Sequence, residues 1–195
     1  GIFSAELDII GECDYSVKLT LTDINGNKVY ESDKANVRAT IPSVRPWSAE
    51  EPNLYILTAE IIAGGRIVET AETKVGFRAF ELKNGLMYLN GKRIIFKGVN
   101  RHEFNAKTGR AITEEDMLWD IKFIKQNNMN AVRTSHYPNN SRWYQLCDEY
   151  GIYLIDETNL ESHGTWQKMG ACEPSINVPA SLPEWKEACL DTVSY

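Results

Sequence analysis

The sequence predicts two halves of different fold class, an antiparallel β-sandwich of immunoglobulin type followed by a parallel α/β region. Three observations carry that reading. Over residues 1–80, short stretches alternate apolar and polar side chains and are separated by turn signals. Over residues 81–195 the rhythm becomes a short apolar strand followed by a helical stripe. Finally, the chain has three histidines, His102, His136 and His163, and each stands just past an apolar strand. Barrel enzymes present their chemistry from that position, the C-terminal face of a parallel sheet.

In the first half, strands are expected at Phe3–Ile9, Ser16–Thr22, Asn36–Ile41, Leu54–Ile62 and Arg66–Val75. Asp23 to Asn27 and Ala63-Gly64-Gly65 supply the positive φ angles that tight hairpins need. No pair of cysteines suits an inter-sheet disulfide, so the sandwich is not of the antibody kind. A loop with two prolines carries Trp47, read as an anchor packed on a neighbouring domain rather than a platform for a ligand.

Asn90-Gly91, between Leu86–Leu89 and Arg93–Phe96, is a strong hairpin signal in a bridge from about Phe77 to Phe96, after which the rhythm changes to strand and helix. The first parallel strand is expected at Ile94–Val99, running into Asn100, Arg101, His102 and Glu103. Thr113 with Asp116 resembles a capping box, and Met117, Leu118, Ile121 and Ile124 make a helical stripe behind it. Ala131-Val132 is the second strand, followed by Arg133, Thr134, Ser135 and His136. A second helix starts near Asn140-Ser141, with Trp143, Leu146, Cys147 and Tyr150 on one face and Gly151 just past its end. Ile152–Ile155 is the third strand; Asp156, Glu157, Glu161 and His163 follow it. A third helix is expected from Ser181-Leu182-Pro183-Glu184, with Trp185, Cys189 and Val193 on one side. Three such units fall short of a closed eight-unit barrel, which takes ~200–250 residues.

Composition narrows the function classes. A net charge of -6 argues against nucleic acid, whose binders carry basic patches. No apolar run approaches the ~20 residues of a membrane span. Cys13, Cys147, Cys172 and Cys189 fall at no metal-finger spacing. Cys147 reads as a reduced core thiol, which favours a cytoplasmic chain. No signal peptide or initiator Met is visible, so the chain is expected to be processed or cut from something longer.

Several motifs are specific enough to name a family. Val75-Gly76-Phe77-Arg78, Leu89-Asn90-Gly91-Lys92 and Lys97-Gly98-Val99-Asn100-Arg101-His102-Glu103 resemble glycoside hydrolase family 2, which contains β-galactosidases and β-glucuronidases. The stretch from Asn130 to Asn139, the stretch from Asp156 to Gly164, and the Trp47 loop with Asn53-Leu54-Tyr55 extend the match over nearly the whole chain. The Asn159-Leu160-Glu161-Ser162-His163-Gly164 run is similar to the β-galactosidase branch. The resemblance implies the sandwich domain and the first three units of a TIM (β/α)8 barrel. It also implies a retaining hydrolase of terminal β-galactosides, a homo-oligomer at full length, whose acid/base and nucleophile glutamates lie beyond this chain.

The resemblance further assigns roles. His102 and His136 would hydrogen-bond galactosyl hydroxyls, and Arg133 would orient the absent nucleophile. Asn100, Arg101, Glu103, Asp156 and Glu157 would fix those side chains in place. Glu161 and His163 would hold a Mg²⁺ ion, weakly in this chain because a third protein ligand is missing. Blander readings stand beside each: strand-end histidines satisfied by backbone, a salt bridge from Arg133 to Glu157 or Glu103, and a surface Glu161/His163 pair without metal. Three whole-chain alternatives also stand. Glu103 and Glu157 could be the carboxylate pair of a complete small hydrolase, the sandwich could be a non-catalytic sugar-binding or structural module, or the chain could come from a related β-glucuronidase-type hydrolase.

Overall fold

Alternation along two long strands builds the first sheet of the sandwich. In this computed structural model, which describes residues 1–11, 14–161, 167–168, 171–172 and 183–193, β2 (Ser16–Asp23), β3 (Lys28–Ser32), β5 (Tyr55–Ala63) and β6 (Arg66–Val75) pair antiparallel in the order β3-β2-β5-β6. β1 (Ile2–Glu6) and β4 (Asn36–Thr40) form a second, two-stranded sheet. Val17, Leu19 and Leu21 of β2 point to one side and are buried, as a period of two requires. They meet Phe3, Ile41, Tyr55, Ala59 and Phe77 in the core between the sheets. Tyr55 and Phe77 pack edge to face with ring centroids 5.2 Å apart.

Two strand boundaries differ from the expectation. β1 stops at Glu6 instead of Ile9, although Leu7 still donates its amide to Ala35 and packs with Ile9 on the core. β3 was not visible as a strand, because Lys-Val-Tyr-Glu-Ser is mostly exposed and lacks a clean alternation. Its presence is enforced by the turn before it. The Asp23 carboxylate accepts the amides of Asn25 and Asn27, and Gly26 takes φ 82°.

β7 (Phe80–Lys83), β8 (Leu86–Leu89) and β9 (Lys92–Arg93) form an antiparallel meander. Both of its turns are Asn-Gly pairs with positive φ throughout, Asn84-Gly85 and Asn90-Gly91, which is the type I′ signature; only the second was anticipated. Trp47 is 2% exposed, and its indole N–H donates to the Asp148 carbonyl at 2.8 Å. It is therefore an anchor. The chain packs as two compact units, Gly1–Ile95 with Asp148–Gly151, and Phe96–Cys147 with Ile152–Tyr195. The meander thus goes with the first unit.

In the second unit, β10 (Gly98–Arg101), β11 (Ala131–Thr134) and β12 (Tyr153–Ile155) form a parallel sheet in that order. The first of these corrects the expected Ile94–Val99. Ile94 donates its amide to Met87 and so finishes the meander, while the Lys97 backbone is clamped on both sides by Asn130. Pairing with β11 begins only at Gly98, where an added Cβ would sit 2.3 Å from the Ala131 carbonyl oxygen. Asn100, Arg101, Arg133 and Thr134 therefore lie in strands rather than after them.

α1 (Glu114–Gln126) opens with the expected capping box of Thr113 and Asp116. Met117, Ile121 and Ile124 of α1, Val132 of β11, Ile152, and Trp143, Leu146 and Cys147 of α2 (Ser141–Tyr150) make one buried cluster. Tyr150 does not share that face. It is the last residue of α2, it is 40% exposed, and the chain leaves the helix at Gly151 with φ 71°. Later come a short hairpin of β13 (Gln167–Lys168) and β14 (Ala171–Cys172), a 3-10 turn at Pro183–Trp185, and α3 (Lys186–Val193). No residue of α3 is buried, and Val193 is 65% exposed. Among the described residues no helix is long and apolar enough to cross a membrane. Cys147 and Cys189 are free thiols.

Candidate active site

The parallel register sets the site. Pairing of Asn100 with Arg133 and of Arg133 with Ile155 brings the ends of three strands level. The polar residues after them then meet in two networks.

The first network centres on Arg133 of β11. Its guanidinium donates to Glu157 and, through Nη1, to Asn100 Oδ1 at 3.2 Å. The second oxygen of Glu157 lies 2.9 Å from His136 Nδ1. Burial is the largest effect on Glu157 and raises its pKa. The hydrogen bonds and charges of His136 and Arg133 together outweigh it and hold the carboxyl below its ordinary range. Of the two expected ion-pair partners for Arg133, the structure supplies Glu157. Glu103 instead accepts the Asn140 amide at the start of α2 at 2.9 Å and lies 3.6 Å from Arg101.

The second network runs from the buried Arg101 to the exposed Asp156. Arg101, 6% exposed, donates to Asp120 Oδ2 and Asn139 Oδ1, each at 2.8 Å, and lies over the Trp143 ring. Asp156 accepts from Thr134 at 2.7 Å and from Tyr144 at 2.8 Å. The Tyr144 phenol, which also accepts the Asn139 amide, is pushed up to about 12, chiefly by burial and then by its bond to Asp156.

His102 and His136 come together as expected, with ring centroids 5.5 Å apart and planes nearly perpendicular. His102 is exposed and His136 half-buried. Tyr137 packs beside His102, and Arg110 lies over the Tyr137 ring at 4.2 Å. Glu161 is an exposed carboxylate, an oxygen donor of the kind Mg²⁺ takes. His163 lies outside the described residues. Among the described residues no group of three His, Cys, Asp or Glu side chains converges to hold a metal ion.

Sequence reasoning missed Asp120, Thr134, Tyr137, Asn139, Trp143 and Tyr144 as partners of the site. Tyr137 and Asn139 stood inside a recognised motif, next to His136. Asp120 and Tyr144 carried a weaker signal, each standing next to a core residue of its helix, Ile121 and Trp143.

A parallel sheet whose strand ends carry carboxylates, an arginine and imidazoles, following a β-sandwich in the sequence, has the arrangement of the start of a (β/α) barrel and the domain that precedes it. Residues 6–78 match the glycosyl hydrolases family 2 domain, and residues 80–195 match the glycosyl hydrolases family 2 TIM barrel domain. The chain belongs to glycosyl hydrolase family 2. Over 98% of its length it is 58% identical to a β-galactosidase of Streptococcus thermophilus and to one of Clostridium acetobutylicum, and it covers 19% and 22% of those proteins. It thus spans about a fifth of the length of the curated relatives it matches. Among solved structures, Ruminococcus gnavus β-glucuronidase superposes on 80% of this chain with a TM-score of 0.74 at 29% identity, over 26% of that chain. A Faecalibacterium prausnitzii β-glucuronidase does so with a TM-score of 0.73 at 34% identity, over 26% of that chain.

Proposed function

We propose that this chain is a central segment of a retaining β-galactosidase, carrying the preceding sandwich domain and the sugar-binding start of the catalytic barrel. The observation that carries the reading is the 58% identity to β-galactosidases across 98% of the chain. Identity to the β-glucuronidases of known structure is 29% and 34%. In this reading the acid/base and nucleophile glutamates lie outside these residues, and the parent is a cytoplasmic homo-oligomer. The buried free thiol of Cys147 is consistent with a reducing compartment.

His102 and His136, at the mouth, hydrogen-bond hydroxyls of the galactosyl ring. These bonds tighten as the ring approaches an oxocarbenium-like state, so they act on the transition state more than on the bound substrate. Arg133 is held by Glu157 and Asn100 and orients the nucleophile carboxylate through a charge-assisted bond. Mg²⁺, held by Glu161 and His163, would add positive charge beside the acidic groups. The rival pairing of Glu103 with Glu157 is disfavoured. Glu103 is engaged by the start of α2 and by Arg101, and the carboxyl of Glu157, held below its ordinary range by His136 and Arg133, is a poor general acid.

The test uses the whole protein that contains this segment, assayed on nitrophenyl β-galactoside and β-glucuronide. Preference for the galactoside, with kcat/KM lost in His102→Ala and His136→Ala, supports the proposal; preference for the glucuronide overturns it. The 195-residue chain alone should turn over neither, and turnover abolished by Glu103→Gln would restore the small-hydrolase reading.

A further inference from the structure

We propose that Tyr137 and Glu157 set opposite tautomers on the two facing histidines, so that His102 offers a hydrogen-bond donor and His136 an acceptor to the same ligand. Each ring is held through Nδ1, and this decides which nitrogen carries the proton. At His136, an ionised carboxylate can only accept, so Glu157 at 2.9 Å places the proton on Nδ1. Arg133 Nη2 also approaches that nitrogen, at 3.2 Å, and is a pure donor. The shorter contact prevails, because a lone pair on Nδ1 would face a carboxylate oxygen, and the guanidinium is already engaged by Glu157 and Asn100. Neutral His136 therefore presents a bare Nε2.

At His102 the logic reverses. The Tyr137 phenol accepts the Glu103 amide at 3.1 Å, which leaves its own proton to give. The nearest acceptor is His102 Nδ1, at 3.5 Å. A ring that accepts at Nδ1 carries its proton on Nε2. Among the described residues neither Nε2 has a hydrogen-bond partner, and the two rings stand 5.5 Å apart.

A donor and an acceptor so placed match a vicinal diol. One hydroxyl accepts from His102 and donates to its neighbour, which donates to His136. The arrangement gives the diol a direction, which two like histidines could not. This consequence rests on the sugar-site reading above; the tautomers themselves do not. Tyr137 and Glu157 are positioning residues in this scheme.

The experiment is nitrogen NMR of the whole protein that contains this segment, labelled at histidine and with the two rings assigned by His102→Gln and His136→Gln, at pH 8, above the ordinary imidazole pKa of about 6.5. Long-range couplings to the ring protons distinguish a protonated from a bare nitrogen. The expected result is a bare Nδ1 in His102 and a bare Nε2 in His136. Tyr137→Phe should shift His102 alone towards averaged values. Glu157→Ala should move the His136 proton to Nε2, since Arg133 becomes the partner, and Glu157→Gln should restore Nδ1–H through its amide oxygen. The same tautomer in both rings of the unsubstituted protein, or averaged shifts in both, overturns the proposal whatever that protein hydrolyses.

Discussion

Arg101 lies over Trp143, its guanidinium carbon 3.7 Å from the ring centroid, while Nε donates to Asp120 and Nη1 to Asn139. The side chain is 6% exposed, so its charge is removed from water and compensated by a carboxylate, an amide and a π face. β10, α1 and the start of α2 are tied together at this one residue. Arg101→Ala removes the partner of the partly exposed Asp120 carboxylate together with the contact on Trp143, and should cost about 1–3 kcal/mol. Arg101→Lys keeps the charge but loses both the fork and the stack, and should recover less than half of that. Urea unfolding followed by Trp fluorescence measures both; equal midpoints for the Lys variant and the unsubstituted chain would count against this account.

Glu157 gives the fold a specific acid sensitivity. Its folded pKa lies below the ordinary carboxyl value of about 4.3, so the ionised form is stabilised by folding. That contribution is fully present above the ordinary value and is lost as pH falls through the lowered one. Glu157→Gln should be destabilised at neutral pH, and the difference should shrink below the ordinary value and vanish only once the pH has fallen below the lowered one. A difference that persists unchanged into strong acid would mean that packing, rather than charge, is what Gln disturbs.

Gly98 is required by close approach rather than by φ. A Cβ there would meet the Ala131 carbonyl oxygen at 2.3 Å and the Ala131 Cβ at 2.9 Å. Gly98→Ala must part β10 from β11 and should cost at least the ~1–3 kcal/mol of an overpacked core. Gly11→Ala, with nothing within 4 Å, is the control and should be nearly neutral. A neutral result at both positions would show that β10 can shift to make room.

These same residues show where the sequence was legible. The capping box of Thr113, the buried Trp143, Leu146 and Cys147, and the Asn90-Gly91 turn could be read because each is a local rule applied to local residues. The start of β10 could not. Ile94–Val99 reads as one strand, but Met87 holds Ile94 in the meander while Asn130, more than thirty residues on, holds Lys97 at the start of the parallel sheet. The same limit applies to the site. His102, His136 and Glu157 could be picked out by residue type after a strand and Arg133 by the motif that contains it, whereas the partnership of Arg101 with Trp143 and Asp120 depends on helix packing that no spacing records.

The last prediction concerns the uncovered face of the parallel sheet. Parallel strands are normally covered on both faces. Here α1 and α2 pack on one face through Ile121, Ile124, Trp143 and Leu146 against Val132. On the other face Val99 is 42% and Ile155 46% exposed, around an open cavity of 330 Å³ that Phe96 and Arg133 also line. β10 and β12 are the edges of this sheet, and edges offer unpaired N–H and C=O groups to another chain. At ~25 cal/mol per Å², several hundred Å² left wet forfeits several kcal/mol, which approaches the whole stability of a domain. The isolated 195-residue chain should therefore self-associate with rising concentration. Its amides in β2 and β5, where Leu19 and Leu21 are fully buried, should exchange far more slowly than those of β12. Sedimentation and hydrogen exchange on one sample decide the matter: strong protection of Leu154 and Ile155 in a demonstrably monomeric solution would show that three parallel strands hold without a second cover.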